Sequence, residues 1–151
     1  MMRTTNNATK AAVDSLNSLL RGELSAVETY RQAIDKLDGG LGTTELSRLN
    51  AEHLEAADIL RDHILEHGGN PDESSGAWGT FAKAVEGTAK LLGNKAAIGA
   101  LKRGEEAGIT SYENALSDEH LPQDCKMLIR DHLLPQTRQH LPILDRLMEM
   151  Q

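Results

Sequence analysis

The stretch "LLRGELSAVETYRQAI", Leu19 to Ile34, sets one carboxylate in the middle of an apolar stripe. With its flanks the stripe reads Leu16, Leu20, Glu23, Val27, Tyr30, Ile34 and Leu37. Steps alternating between four and three residues mark the seam that a helix buries against its neighbours. Glu23 stands where Leu would be expected, and an unpaired buried charge costs several kcal/mol. The same arrangement then recurs. "RGELSAVETYRQAI" (Arg21–Ile34) and "RGEEAGITSYENAL" (Arg103–Leu116) share Arg, Gly, Glu, Tyr and Ala in register, at an offset of 82 residues from Glu23 to Glu105. Each copy places a Glu two turns before a Tyr on one seam, so the chain reads as two helical hairpins of common design.

Outward from these copies the pattern stays helical. Residues 1–9 are polar and are expected to form a flexible N-terminus ahead of a single domain over 10–150. A first helix is expected from about Lys10 to Leu37, stopped by the glycines of "DGGLG". Thr43 or Thr44 is the expected cap of a second helix. Its stripe reads Leu46, Leu49, His53, Ala57, Leu60 and Ile64, and it ends at Gly68-Gly69. A turn-rich connector, "NPDESSG", follows. Trp78, Phe81, Val85, Ala89 and Leu92 then predict a short amphipathic helix between the hairpins. A third long helix spans about Lys95–Leu116, with Ile98, Leu101, Glu105, Ile109, Tyr112 and Leu116 on its seam. Pro122 suits the first turn of a last helix reaching about Met148, which Pro135 and Pro142 should bend. No segment reads as a strand. The fold class is all-α, an up-down four-helix bundle with one extra short helix.

Composition narrows the partners. The 151 residues are 39% hydrophobic but only 3% aromatic, which favours helix over sheet. A formal charge of −7 with scattered Lys and Arg argues against a nucleic-acid or anionic-membrane partner. The opening residues lack an apolar core, and no apolar run approaches the ~18 residues of a membrane span. Cys125 is the only cysteine, so an intrachain disulfide is impossible and a reducing, cytoplasmic setting of bacterial type is expected. The only Trp and only Phe fall together in the short helix, the composition of a partner anchor. A homodimer with Trp78 at or near the interface is expected.

The helix after each RGE copy pairs a carboxylate with a histidine: Glu52-His53-Leu54 in one, Asp131-His132-Leu133 in the other. His53 sits at the centre of its stripe. On the last helix, counting rise from the Asp118–Pro122 turn levels His132 and Gln136 with Glu105, whereas the helical wheel favours His140. A divalent cation turns the cost of such buried carboxylates and imidazoles into a gain. The candidate ligands are therefore Glu23, His53, Glu105, His132 and His140, with Tyr30, Tyr112, Glu52 and Gln136 in support. His63, His67 and His120 read as surface or helix-end histidines, and Cys125 as a small core residue.

On these residues the chain resembles the ferritin-like superfamily. "RGELSAVETY" is similar to the first helix of bacterioferritins and rubrerythrins, where a Glu ligates iron and a Tyr follows two turns later. From Ala11 to Leu147 the chain resembles a bacterial ferritin-like family of unknown function. The resemblance implies a metal at the bundle centre, iron or zinc, with oxygen or peroxide chemistry if the metal is iron. This chain departs from the ferritin pattern of Glu-x-x-His on the second and fourth helices. His53 falls at one Glu position and Ala56 at its His partner, while Thr137 falls at the other Glu position. The competing expectation is a metal-free helical bundle, an interaction or stress-associated structural protein whose polar seam fixes helix register.

Overall fold

Ala-, Leu- and Glu-rich runs with stripes at three- and four-residue steps build helices throughout the computed structural model, which describes residues 2–37, 42–75 and 93–151, with side chains from residue 7 onward. In chain order they are α1 (Met2–Lys36), α2 (Thr43–Glu66), α3 (Asn94–Leu116), α4 (Gln123–Leu128) and α5 (Leu134–Met150). A π-helical segment, Ile129–Leu133, joins α4 to α5 into one column. No strand occurs among the described residues. α1 packs on α2, α3 on α5, and α1 on α3, so two hairpins face each other across the α1–α3 contact in a helical bundle. No helix is long and apolar enough to cross a membrane among the described residues. The expected short helix carrying Trp78, Phe81, Val85, Ala89 and Leu92 lies outside the described residues.

Three boundaries differ from the sequence reading. α1 starts at Met2, so the polar stretch through Thr9 continues the helix rather than preceding it. Thr and Asn cost only a fraction of a kcal/mol each once a helix is nucleated downstream. The cap of α2 is Gly42, in the left-handed conformation at φ 84°, rather than Thr43 or Thr44. The last column contains a π turn ahead of Pro135. An extra residue there relieves the clash between a proline ring and the preceding turn, and it rotates everything after it by about 100°.

Apolar residues gather in two clusters. One holds Leu16, Leu20, Leu60, Ile64, Ile129 and Leu133; the other holds Leu37, Leu46, Leu49, Ile98, Leu144 and Leu147. The buried polar side chains Glu23, His53, Glu105 and His140 form a layer along the same helices, among the fully apolar stripes. Along the helices, one apolar cluster therefore lies to either side of that layer.

The end of α2 is set by glycine. Gly69 N donates to Ile64 O (2.9 Å) and Gly68 N to Leu65 O (3.0 Å), with Gly68 at φ 80°. This is a Schellman arrangement, and it brings Gly69 against α1. A Cβ on Gly69 would lie 2.5 and 2.7 Å from the two Val13 methyls. Val13 is β-branched and cannot swing aside within its helix. Gly69→Ala is expected to lower stability by about 1–3 kcal/mol through overpacking, read as a urea midpoint; an unchanged midpoint would refute the close approach. The connector beyond is tied back to α1. Asn17 Nδ2 donates to Asn70 O, Asp72 N donates to Asn17 Oδ1, and Arg21 pairs with Asp72.

Candidate metal centre

Glu23 on α1 and Glu105 on α3 occupy matching positions of the repeat, and both are buried. The tyrosine two turns on in each copy does not serve its own glutamate. Tyr30 OH donates to Glu105 Oε1 (2.5 Å), and Tyr112 OH donates to Glu23 Oε1 (2.6 Å). The two copies thus bond reciprocally across the bundle. His53, projecting from the centre of the α2 stripe, bridges them. Its Nδ1 lies 2.6 Å from Glu23 Oε2 and its Nε2 lies 2.6 Å from Glu105 Oε1. From α5, His140 Nδ1 lies 3.1 Å from Glu105 Oε1 and its Nε2 lies 3.1 Å from Glu52 Oε2. The two imidazoles meet edge to face, with ring centroids 4.9 Å apart.

Two carboxylates on either side of His53 favour a proton on its ring. Burial by itself would lower the affinity of His53 for that proton, but Glu105 and then Glu23 outweigh it and raise the pKa to about 10. Burial likewise opposes the ionisation of Glu105, yet His53 and His140 hold its carboxyl down at about 2. Burial, reinforced by Glu105 for Tyr30 and by Glu23 for Tyr112, pushes both phenols well above their ordinary value. They act as neutral donors to carboxylates.

One atom is left over. Three groups crowd Glu105 Oε1, whereas Glu105 Oε2 is buried and has no hydrogen-bond partner. A buried carboxylate oxygen without a donor is costly. One ligand atom each from His53, Glu105 and His140 lies within 4.8 Å of the other two, close enough to hold one ion. The donor set of carboxylate and imidazole suits a divalent transition metal. Beside it a cavity of about 40 Å³ opens between α1 and α3. Its walls are small at repeated positions, Gly22 with Gly104 and Ala26 with Gly108. A single water needs roughly 10–15 Å³ measured the same way, so the cavity can hold water next to the cluster.

The sequence-derived candidates separate here. Glu23, His53, Glu105, His140, Tyr30, Tyr112 and Glu52 come together. His132 does not: its side chain is 44% exposed, and its carboxylate neighbour is Glu55 at 3.9 Å. Gln136 is half-buried and takes no part in the cluster's hydrogen bonds among the described residues. Counting rise levels these two with Glu105 whereas the helical wheel favours His140, and His140 is the one that reaches Glu105. Thr137, at the position of a ferritin-type glutamate, is buried and turns its hydroxyl back to Leu133 O (2.8 Å). Glu52, expected in support of the cluster, reaches His140 on the opposite hairpin rather than its chain neighbour His53.

These features define a helical-bundle protein with a buried Glu/His centre at the meeting of two repeats. The chain belongs to the family described as Domain of unknown function (DUF2383), whose profile matches residues 11–118. The matched span takes in both RGE copies and His53 and stops before the column that supplies His140. No curated protein and no solved structure matches the chain.

Proposed function

We propose that the bundle centre binds a divalent metal ion, iron or zinc, held by Glu105, His53 and His140 with Glu23 alongside. The observation that carries this reading is Glu105 Oε2, a buried carboxylate oxygen facing no donor. A cation satisfies that oxygen and replaces the proton that His53 otherwise keeps between the two glutamates. Glu52 behind His140 Nε2, and the tyrosine hydroxyls on Glu23 and Glu105, fix the orientation of the ligands. Bound iron would supply oxygen or peroxide chemistry, with the adjacent cavity as its access. The duplicated Glu/Tyr helices support membership of the ferritin-like class, with a histidine-richer centre than its di-iron members.

Metal binding is expected to stabilise the fold. At ~100 times its dissociation constant, a metal adds about 2.7 kcal/mol, which raises the melting temperature by several degrees. Melting curves near neutral pH with Fe(II), Zn(II), Mn(II) and Co(II), alongside the metal content of protein purified without chelator, test this. Four unmoved curves and a metal-free protein would exclude the reading. One observation favours the alternative of a metal-free interaction module. The two 2.6 Å contacts of His53 already pair a protonated ring with both glutamates in the absence of metal, and the same experiment decides between the two.

A further inference from the structure

About 15 Å along α2 from His53, at the ~1.5 Å rise of a helix, a second group of ligand-bearing side chains converges. His63 and His67 lie one turn apart on one face of the last turns of α2, where the Gly68-Gly69 stop holds them. Asp124 and Cys125 come from the first turn of α4, which follows Pro122. Cys125 Sγ lies 3.5 Å from His67 Nε2 and 3.9 Å from His63 Nδ1. Asp124 Oδ2 lies 3.0 Å from His67 Nε2 and 3.6 Å from His63 Nδ1. All four ligand atoms fall within 4.8 Å of one another. Zinc bonds of about 2.0–2.3 Å give a tetrahedron with edges of roughly 3.3–3.6 Å, which these separations bracket.

We propose that His63, His67, Asp124 and Cys125 form a second metal site, for a zinc-class divalent ion, that ties the end of α2 to the start of α4. The donor set is one sulfur, two imidazole nitrogens and one carboxylate oxygen. That softness selects zinc and its neighbours over calcium or magnesium. Burial is graded: Cys125 is fully enclosed, the histidines are about a quarter exposed or less, and Asp124 is half exposed. An ion therefore enters from the Asp124 side and meets the thiol last. Binding releases the thiol proton to solvent, since the thiolate is the ligand. The site joins one hairpin to the other and shares no residue with the bundle centre, so either can exist without the other.

Because Cys125 is the only thiol in the chain, one spectrum isolates this site. Metal-stripped full-length protein titrated with Co(II) is expected to develop a thiolate-to-cobalt charge-transfer band and the intense visible bands of a tetrahedral ion. Zn(II) should bleach both. His67→Ala changes a partly exposed side chain and is expected to leave the helical circular dichroism intact. It should weaken the Co(II) titration by at least the ~10–100-fold that loss of even an outer-shell partner costs. Cys125→Ser should abolish the charge-transfer band. Absence of the band in the wild type, or a titration that His67→Ala leaves unchanged, overturns the proposal. The bundle centre contains no thiol, so its own binding cannot mimic the charge-transfer band, which is the readout for every comparison.

Discussion

Glu105→Leu is expected to lower stability by about 3–5 kcal/mol, the loss seen when one partner of a buried ion pair is removed. The cause lies in how much converges on this carboxylate: His53, His140 and Tyr30 all bond its Oε1. Leucine would leave Tyr30 without its acceptor and deprive both imidazoles of a partner. Glu23→Leu is the informative control. It removes one bond from Tyr112 and one from His53, while the His53–Glu105 pair stays closed. Its cost should not exceed about 1–3 kcal/mol. Both variants should lose metal stabilisation if the centre holds an ion. Equal costs, or a Glu105→Leu protein as stable as the wild type, would mean that the asymmetry between the two glutamates carries no energy.

Metal-free protein should be most stable in mildly acidic solution and should weaken as pH rises toward 10. His53 is raised from 6.5 to about 10 in the fold. Its stabilisation is complete below 6.5, where the unfolded chain is protonated too, and is lost as pH climbs through 10. Glu105 is lowered from 4.5 to about 2. Its contribution is complete above 4.5 and is lost as pH falls through 2. Both are present together between pH 4.5 and 6.5. Between 6.5 and 10 the folded state binds the extra proton, so stability falls by up to about 1.4 kcal/mol per pH unit. The charged and titratable groups facing His53 come from every surrounding helix: Glu23 and Tyr30 from α1, Glu105 from α3, and His140 from α5. Urea midpoints at pH 6 and pH 9 in the presence of a chelator measure the effect. Added metal should reverse the trend, because it competes with the proton on His53 and binds better as that proton is released. Metal-free stability that is flat or rising from pH 6 to 9 would show that His53 is not held as a cation.

The first three long helices were readable because their signal is periodic. Their stripes survive in the burial pattern, with Leu16, Leu20, Glu23, Val27 and Tyr30 buried on α1 and every stripe residue of α2 buried. The centre was partly readable for a related reason: a charge on an apolar seam is conspicuous, and its repetition at Glu105 removes chance. The last column was harder. Rise and wheel disagreed there: height along the helix pointed to His132 and Gln136, the apolar face to His140. A π turn that sequence periodicity does not announce makes any count of rise through it unsafe. The reciprocal tyrosine bonds were hidden for a different reason. Spacing along one helix says that Tyr30 shares a face with Glu23, not that it crosses to Glu105. The His63–Cys125 group escaped because its members look ordinary singly and lie 62 residues apart.

The crossed tyrosine bonds bear on ancestry. A symmetric pair of identical hairpins could make both of them, since each half supplies one donor and one acceptor. What such a pair could not make is the single imidazole between the glutamates, because two equivalent rings would compete for a space that fits one. The position 82 residues beyond His53 is Pro135, and the position 82 residues before His140 is Asp58, so neither histidine is matched by a histidine in the other half. Two halves in one chain are free to differ at such positions, where an identical pair would not be. The single histidine bridge, and not the crossed glutamate–tyrosine bonds, is the part of this layer that two identical hairpins could not build.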